Sequence, residues 1–267
     1  MASSRFWNRK RVWVTGASSG IGEAFARALA ATGSQVILSS RSAEKLETLK
    51  SQLSGDGHVI IPIDVSSDIS IQEALRHHAD VISKVDVLIN NAGISQRSLT
   101  WEASRESERL IMETNFFGAT ALTRAVLPGM MKRNSGMFIN MSSPAGMFGF
   151  PLRSSYSASK HALHGYFETL QAELKSQQKD IHILMALPGR VRTNMSVNAV
   201  TGDGTKQGTM DERLNAGLEP EVCVERILRA AERKRATIYL GREQLLIFVK
   251  RFFPSIFRSI VTKFKPN

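Results

Sequence analysis

The chain has 267 residues, 42% of them hydrophobic, a net charge of +11 and one cysteine, Cys223. That length supports one substantial core, and one cysteine excludes an intramolecular disulfide and a cysteine-based metal cluster. The longest apolar run, Leu245–Val249, falls far short of the ~20 residues that span a bilayer, and no apolar leader segment precedes the first strand.

These features suit a reducing cytosol. The stretch from Glu243 to Asn267 holds Lys250, Arg251, Arg258, Lys263 and Lys265 against a single acid, and the remaining positive charge is spread over the body. No basic strip interleaved with aromatics is found, so no nucleic-acid partner is expected. An anionic membrane or a phosphorylated ligand fits the balance better, and no metal is expected.

In chain order, Arg11–Thr15 predicts a short buried strand. It leads into Gly16, Ala17, Ser18, Ser19, Gly20, Ile21 and Gly22, and then a helix over about 21–32. Strand, glycine turn and helix together make a phosphate site. Glycines let the backbone approach a pyrophosphate, and the helix N-terminus offers free N–H groups and positive potential. The spacing is G-x-x-x-G-x-G, not the commoner G-x-G-x-x-G. The plain alternative is an ordinary strand–helix turn.

Gln35–Ser39 predicts a second buried strand, followed by Ser40 and Arg41. An NAD site normally carries an acid here for the ribose 2′-hydroxyl. A serine and a guanidinium instead suit a 2′-phosphate, which favours NADP(H). The third strand, His58–Ile63, closes on Asp64 and Val65, where a carboxylate suits an adenine amino group. The fourth, Val85–Ile89, is followed by Asn90, Asn91, Ala92 and Gly93, small enough for the turn to lie against a cofactor. Strands alternating with helices give right-handed crossovers and a parallel sheet, with ligands at the strands' C-terminal ends.

A helical segment over about 104–132 carries Asn115 and Gly118, both unfavourable inside a helix, so a local distortion is expected there. The fifth strand, Met137–Met141, delivers Ser142 and Ser143. Tyr156 lies 13 residues beyond Ser143, and Lys160 four beyond Tyr156, on one helix face. A cation beside a phenol lowers the phenol's pKa, which makes Tyr156 a general acid for carbonyl reduction or a base for alcohol oxidation. A serine nearby would hold the substrate oxygen. Tyrosine and lysine at this spacing are common on helix surfaces, so the pair gains weight only from the motifs before it.

Ile181–Ala186 predicts a sixth strand, followed by Pro188, Gly189, Val191 and Thr193. Residues 194–220 are irregular and glycine-bearing, as in a substrate lid. A helix over about 221–234 holds Cys223 as a structural thiol, and Thr237–Leu240 is the last strand. Beyond Glu243, apolar residues recur at helical spacing from 245 to 264, with Pro254 expected to split the segment into two pieces. A basic amphipathic surface over 245–265 would meet a membrane or cover an apolar substrate mouth. The alternative is a helix packed on its own domain.

With these residues assembled, the chain resembles the short-chain dehydrogenase/reductase family from Arg11 to Leu240. The motifs are T15GASSGIG22, Asp64, N90NAG93, Asn115, Ser143, Y156SASK160 and P188GRVRT193. The resemblance implies one Rossmann-type α/β domain over 1–242 with a seven-stranded parallel sheet, followed by the extension 243–267. It implies a catalytic set of Asn115, Ser143, Tyr156 and Lys160. It also implies cofactor contacts from the glycine turn, Lys160 and Thr193, the last holding a nicotinamide carboxamide. A homodimer or homotetramer through the helices bearing Asn115 and Tyr156 follows from it too. The lid is similar to the subfamily of animal peroxisome- and ER-associated lipid reductases, linked to acyl- or alkyl-dihydroxyacetone phosphate. Unlike in those, an N-terminal transmembrane segment is not expected here, since residues 1–10 are basic and carry no long apolar run.

The expected function is therefore NADPH-dependent reduction of a ketone or aldehyde, on a small hydrophobic, lipid-like or steroid-like substrate. An NADPH sensor and a membrane-surface scaffold are the alternatives from other classes. The expected location is cytoplasmic, with peripheral membrane contact through the extension.

Overall fold

Valine- and isoleucine-rich runs too short for helices form the sheet. In the computed structural model, which describes residues 2–211 and 216–263, seven strands pair in the order β3-β2-β1-β4-β5-β6-β7. They are β1 (Arg11–Thr15), β2 (Gln35–Ser39), β3 (Val59–Ile60), β4 (Val87–Asn90), β5 (Gly136–Met141), β6 (Ile181–Pro188) and β7 (Thr237–Leu240). Every pairing is parallel. The order reverses between β1 and β4, so a crevice opens at their C-terminal ends.

Helices cover both faces, which is why the central strands are apolar throughout. On one face lie α1 (Ser4–Trp7), α2 (Gly20–Ala30), α3 (Ala43–Ser51) and, late in the chain, α9 (Pro220–Glu232), closing a core around Trp7, Phe25, Leu38 and Ile227. On the other lie α4 (Asp68–His77), α5 (Ala79–Ile82), α7 (Gly118–Arg133) and α8 (Ser154–Ser176), around Trp13, Leu88, Phe138 and Phe167. The seven-stranded parallel sheet with helices on both sides is the expected fold.

Some boundaries differ for local reasons. Pairing at β3 starts at Val59, because the His58 imidazole Nδ1, not a backbone oxygen, accepts the Val36 N–H at 3.1 Å. Pro62 then removes a ladder donor. The short helix α1 was not foreseen. Its Trp7 is fully buried and donates its indole N–H to Glu232 at 2.7 Å, which ties the N-terminus to α9. Cys223 is buried in α9, and burial pushes its thiol up to about 12, which leaves it chemically quiet.

The distortion expected at Asn115 is a π turn, Glu113–Phe117, between α6 (Arg105–Met112) and α7. Such turns often mark functional sites. Gly118 follows, and a Cβ there would run into the Val65 carbonyl oxygen. The glycine thus lets the helix approach the end of the third strand. Pro254 does split the C-terminal segment, into α10 (Gln244–Phe252) and α11 (Pro254–Val261). Among the described residues no helix is long and apolar enough to cross a membrane. Lid residues 212–215 and the tail positions 264 and 265 lie outside the described residues.

Candidate active site

The glycine turn is a backbone cradle at the end of β1. Gly16 and Gly20 have φ of +64° and +56°, a region that disfavours residues with a Cβ. A Cβ at Gly22 would collide with the Gly16 carbonyl, and one at Gly20 would lie 3.0 Å from Thr193. Ser19 starts α2 in an extended conformation with no side-chain cap, beside half-buried Ser18 and Ile21. The first-turn N–H groups of α2 are therefore suited to an external anion. Ser40 and Arg41 follow β2, the strand beside β1, and Arg41 is exposed.

The turn is fastened to the end of β4. Thr15 Oγ1 accepts the N–H groups of Asn91 and Ala92 at 2.9 and 3.0 Å, and Asn91 Nδ2 donates to the Thr15 carbonyl at 2.8 Å. Asp64 uses one carboxylate oxygen on Ser66, accepting its N–H at 3.0 Å and its hydroxyl at 2.6 Å. Val65 packs against the core beneath α7. Across the crevice, Pro188 ends β6, Gly189 and Thr193 line the opening, and Val191 is buried.

The four polar groups named from the sequence come together at the end of β5. Ser143 lies just past the strand, and its hydroxyl hydrogen-bonds the Tyr156 phenol and accepts the Ala145 N–H at 3.2 Å. Lys160, one turn along α8, donates to the Met141 carbonyl at 2.8 Å and lies 5.8 Å from the Tyr156 ring centroid. Asn115 clamps Ile94: its Oδ1 accepts the Ile94 N–H at 2.8 Å and its Nδ2 donates to the Ile94 carbonyl at 2.9 Å. Its Nδ2 also donates to Ser159 at 3.0 Å. A Cβ on Gly93 would sit 3.1 Å from Asn115 Oδ1 and 3.6 Å from Lys160 Nζ, so only a bare backbone fits comfortably there.

Residues not singled out from the sequence complete the site. Gln96, 1% exposed, accepts the N–H groups of Ser155 and Tyr156 at 2.7 and 3.2 Å, and so caps α8 from outside the helix. The same stretch carries the lid: Val200 donates to the Ser95 carbonyl at 2.9 Å, and its carbonyl accepts the Arg97 N–H at 2.8 Å. Arg153 and Arg97 both line the cleft, and Arg97 lies 3.7 Å from Asp211. No spacing rule marks Gln96 or Arg153; their roles arise only when the loops fold back on α8.

The electrostatics differ in one respect from the sequence-based expectation. Burial is the largest influence on Tyr156 and raises its pKa. The Ser143 hydrogen bond and the Arg153 guanidinium oppose it, so the charge that works against burial at the phenol is that of Arg153. Burial also holds the Lys160 ammonium at about 8, against an ordinary 10.5. Between these values the unfolded chain keeps the proton and the folded chain releases it, so this group makes stability rise with pH from about 8 to 10.5. Lys160→Met removes that contribution. Urea unfolding of both proteins across this range is expected to show the wild type gaining on the variant as pH rises. A difference that stays flat contradicts a buried, titrating ammonium.

Residues 10–203 match the family model described as short chain dehydrogenase. A Xenopus laevis protein called dehydrogenase/reductase SDR family member 7B is 37% identical over 262 residues, covering 94% of this chain and 80% of that one. Its Bos taurus namesake is 38% identical over 268 residues, covering 94% and 82%. Among solved structures, a short-chain dehydrogenase from Streptomyces avermitilis is 31% identical, with a TM-score of 0.81 over 96% of this chain and 95% of that one. A serine dehydrogenase complexed with NADP+ is 29% identical, with a TM-score of 0.75 over 86% and 97%. The chain belongs to the short-chain dehydrogenase family.

Proposed function

We propose that the protein reduces a ketone or aldehyde with NADPH, on a lipid-like substrate. The observation that carries this reading is the convergence of Ser143, Tyr156 and Lys160 on one cleft that also opens onto the glycine turn. When bound, NADPH supplies the hydride. Its phosphates fit the first turn of α2, whose backbone Gly16, Gly20 and Gly22 allow to pack closely on Ala92, Thr193 and the turn itself. Ser40 and Arg41 suit the 2′-phosphate. Two similar solved structures, a serine dehydrogenase at 29% and an alcohol dehydrogenase at 27% identity, hold NADP+ and 5-hydroxy-NADP, which supports the same choice.

The chain's own groups handle the oxygen and the proton. The Ser143 hydroxyl hydrogen-bonds the substrate carbonyl oxygen, and Tyr156 gives its phenolic proton to the developing alkoxide. Lys160 binds the nicotinamide ribose, and Asn115 supports proton return by holding the Ile94 backbone beside it. The substrate cleft combines apolar Met141 and Met195 with the guanidinium groups of Arg97 and Arg153. That mixture suits a carbonyl attached to an apolar chain and an anionic group, such as an acyl- or alkyl-dihydroxyacetone phosphate. The exposed Leu110 and Phe117, on the α6–α7 rod, are the expected contact with a second copy.

The C-terminal helices support a membrane-facing role. Ile247 packs against the core, Phe257 meets buried Phe148 edge-to-face with ring centroids 5.2 Å apart, and Lys250 donates to the Met147 carbonyl at 2.6 Å. These contacts seat α10 and α11 beside the loop that leads to Tyr156. Leu245, Phe248, Phe252, Phe253 and Ile256 nevertheless remain more than half exposed. Apolar side chains beside basic ones fit an anionic bilayer surface, with about 1 kcal/mol per basic residue near the headgroups.

Tyr156→Phe keeps the ring and removes the donor, so turnover of a carbonyl panel should fall by roughly 10²–10⁴-fold while NADPH still binds. Near-normal kcat in the variant rules out the tyrosine's role. Turnover in the wild type also separates an enzyme from an NADPH sensor or a scaffold. Ser40→Asp with Arg41→Ala should move preference from NADPH toward NADH by about tenfold or more, since charge-assisted hydrogen bonds contribute roughly 1.5–3 kcal/mol each. Equal wild-type rates with both cofactors count against that assignment. The full chain should co-sediment with anionic vesicles at low salt, and a form ending at Arg242 should not. Equal behaviour of the two forms removes the membrane reading.

A further inference from the structure

His164 is not part of the set that Tyr156 and Lys160 belong to, yet it continues their line at four-residue spacing along α8. Its side chain is 12% exposed, and its Nε2 lies 3.0 Å from Ser142 Oγ. Ser142 is itself 4% exposed and is the residue between Met141 and Ser143. Three successive turns of α8 thus hold three successive residues of the strand end. Tyr156 meets the Ser143 hydroxyl, Lys160 meets the Met141 carbonyl, and His164 meets the Ser142 hydroxyl.

The contact is built into the backbone. The tight turn Pro144–Gly146 folds over the pair. A Cβ on Gly146 would lie 2.6 Å from Ser142 Oγ and 3.0 Å from His164 Cδ2 and Nε2. Glycine is needed there because the turn presses directly on the serine–histidine pair. Ser142 is further pinned by its own N–H, which donates to the Ala186 carbonyl of β6 at 2.8 Å. The Ser143 hydroxyl in turn accepts the Ala145 N–H inside the same turn.

We propose that His164 is a positioning residue: through Ser142 it sets where the Ser143 hydroxyl stands relative to Tyr156. A hydrolytic triad of Ser142, His164 and Glu168 is a poorer account. The Glu168 side chain is 75% exposed and 3.9 Å from Nδ1, too far to orient the ring, and the serine is covered by Gly146. A proton-carrying role fits no better. Burial, with the positive surroundings of His161 and Lys160, lowers His164 to about 4, and Glu168 is the acid that faces it. The ring is therefore neutral at working pH and acts by geometry.

The inference rests on the carbonyl-reductase reading, and its test separates the two. Four full-length forms are compared: wild type, His164→Leu, Ser142→Ala and the double variant, with His164→Gln as the rescue. Glutamine can place a polar atom near the Nε2 position; leucine cannot. On the best-turned-over carbonyl, His164→Leu and Ser142→Ala should each lower kcat roughly 10- to 100-fold, the scale of an ångström-level misplacement. KM for NADPH should stay unchanged, the double variant should be no worse than either single one, and His164→Gln should recover most of the rate. Wild-type turnover that survives in His164→Leu overturns this proposal and leaves the reductase reading standing.

A substrate-free readout covers the case in which no panel compound reacts. With ¹³C-tyrosine in the full chain, the Tyr156 Cζ resonance is identified by its loss in Tyr156→Phe. It should shift in His164→Leu and Ser142→Ala, and return in His164→Gln. A resonance that does not move in any variant also overturns the proposal.

Discussion

The site depends on the register of α8 against the end of β5. Tyr156 and Lys160 share a helix face because they are one turn apart, but that alone leaves them on a surface. They become a site because Lys160 donates to the Met141 carbonyl and Tyr156 meets Ser143, the second residue past β5. Gln96 holds the N-terminus of α8 by accepting the N–H groups of Ser155 and Tyr156. Asn115 holds the neighbouring strand-end loop by both polar groups of Ile94. Shifting the helix by one residue would break the contacts of Lys160, Tyr156 and Gln96 together.

The same packing governs the chemistry of the groups it brings together. A buried phenol resists ionisation and a buried amine resists protonation, so burial draws the two pKa values toward opposite sides of their ordinary order. The phenol stays protonated and ready to donate, while the ammonium sits at about 8, near enough to working pH to exchange a proton. The sheet topology adds the second half of the site. Because β1 and β4 mark the reversal of strand order, the glycine turn and the Asn91–Gly93 turn face each other, joined by Thr15 and Asn91.

Much of this was legible in the sequence where a residue's identity is forced by local geometry. Glycines with positive φ, a buried strand ending in a small-residue turn, and tyrosine and lysine at four-residue spacing all carry their reason in the chain itself. Asn115 and Gly118 also signalled a distortion, since neither favours a helix, though the sequence does not say that the result is a π turn. What was not legible depends on distant parts meeting. The N–H groups that Gln96 caps are about 60 residues away. The Trp7–Glu232 bond joins the two ends of the domain. The charge opposing burial at Tyr156 comes from Arg153, in a loop whose path no periodicity describes. The C-terminal segment shows both kinds at once: its helices and the break at Pro254 follow from pattern, whereas the packing of Phe257 on Phe148 does not.

On the proposed reading, this arrangement moves a hydride from NADPH to a carbonyl carbon. The most direct measurement uses NADPH with deuterium at both C4 positions, incubated with the full-length protein and long-chain ketones or keto-phosphates, with the alcohol products read by mass spectrometry. The account predicts one deuterium on the carbinol carbon of at least one product. NADPH binding without deuterium in any alcohol would contradict it.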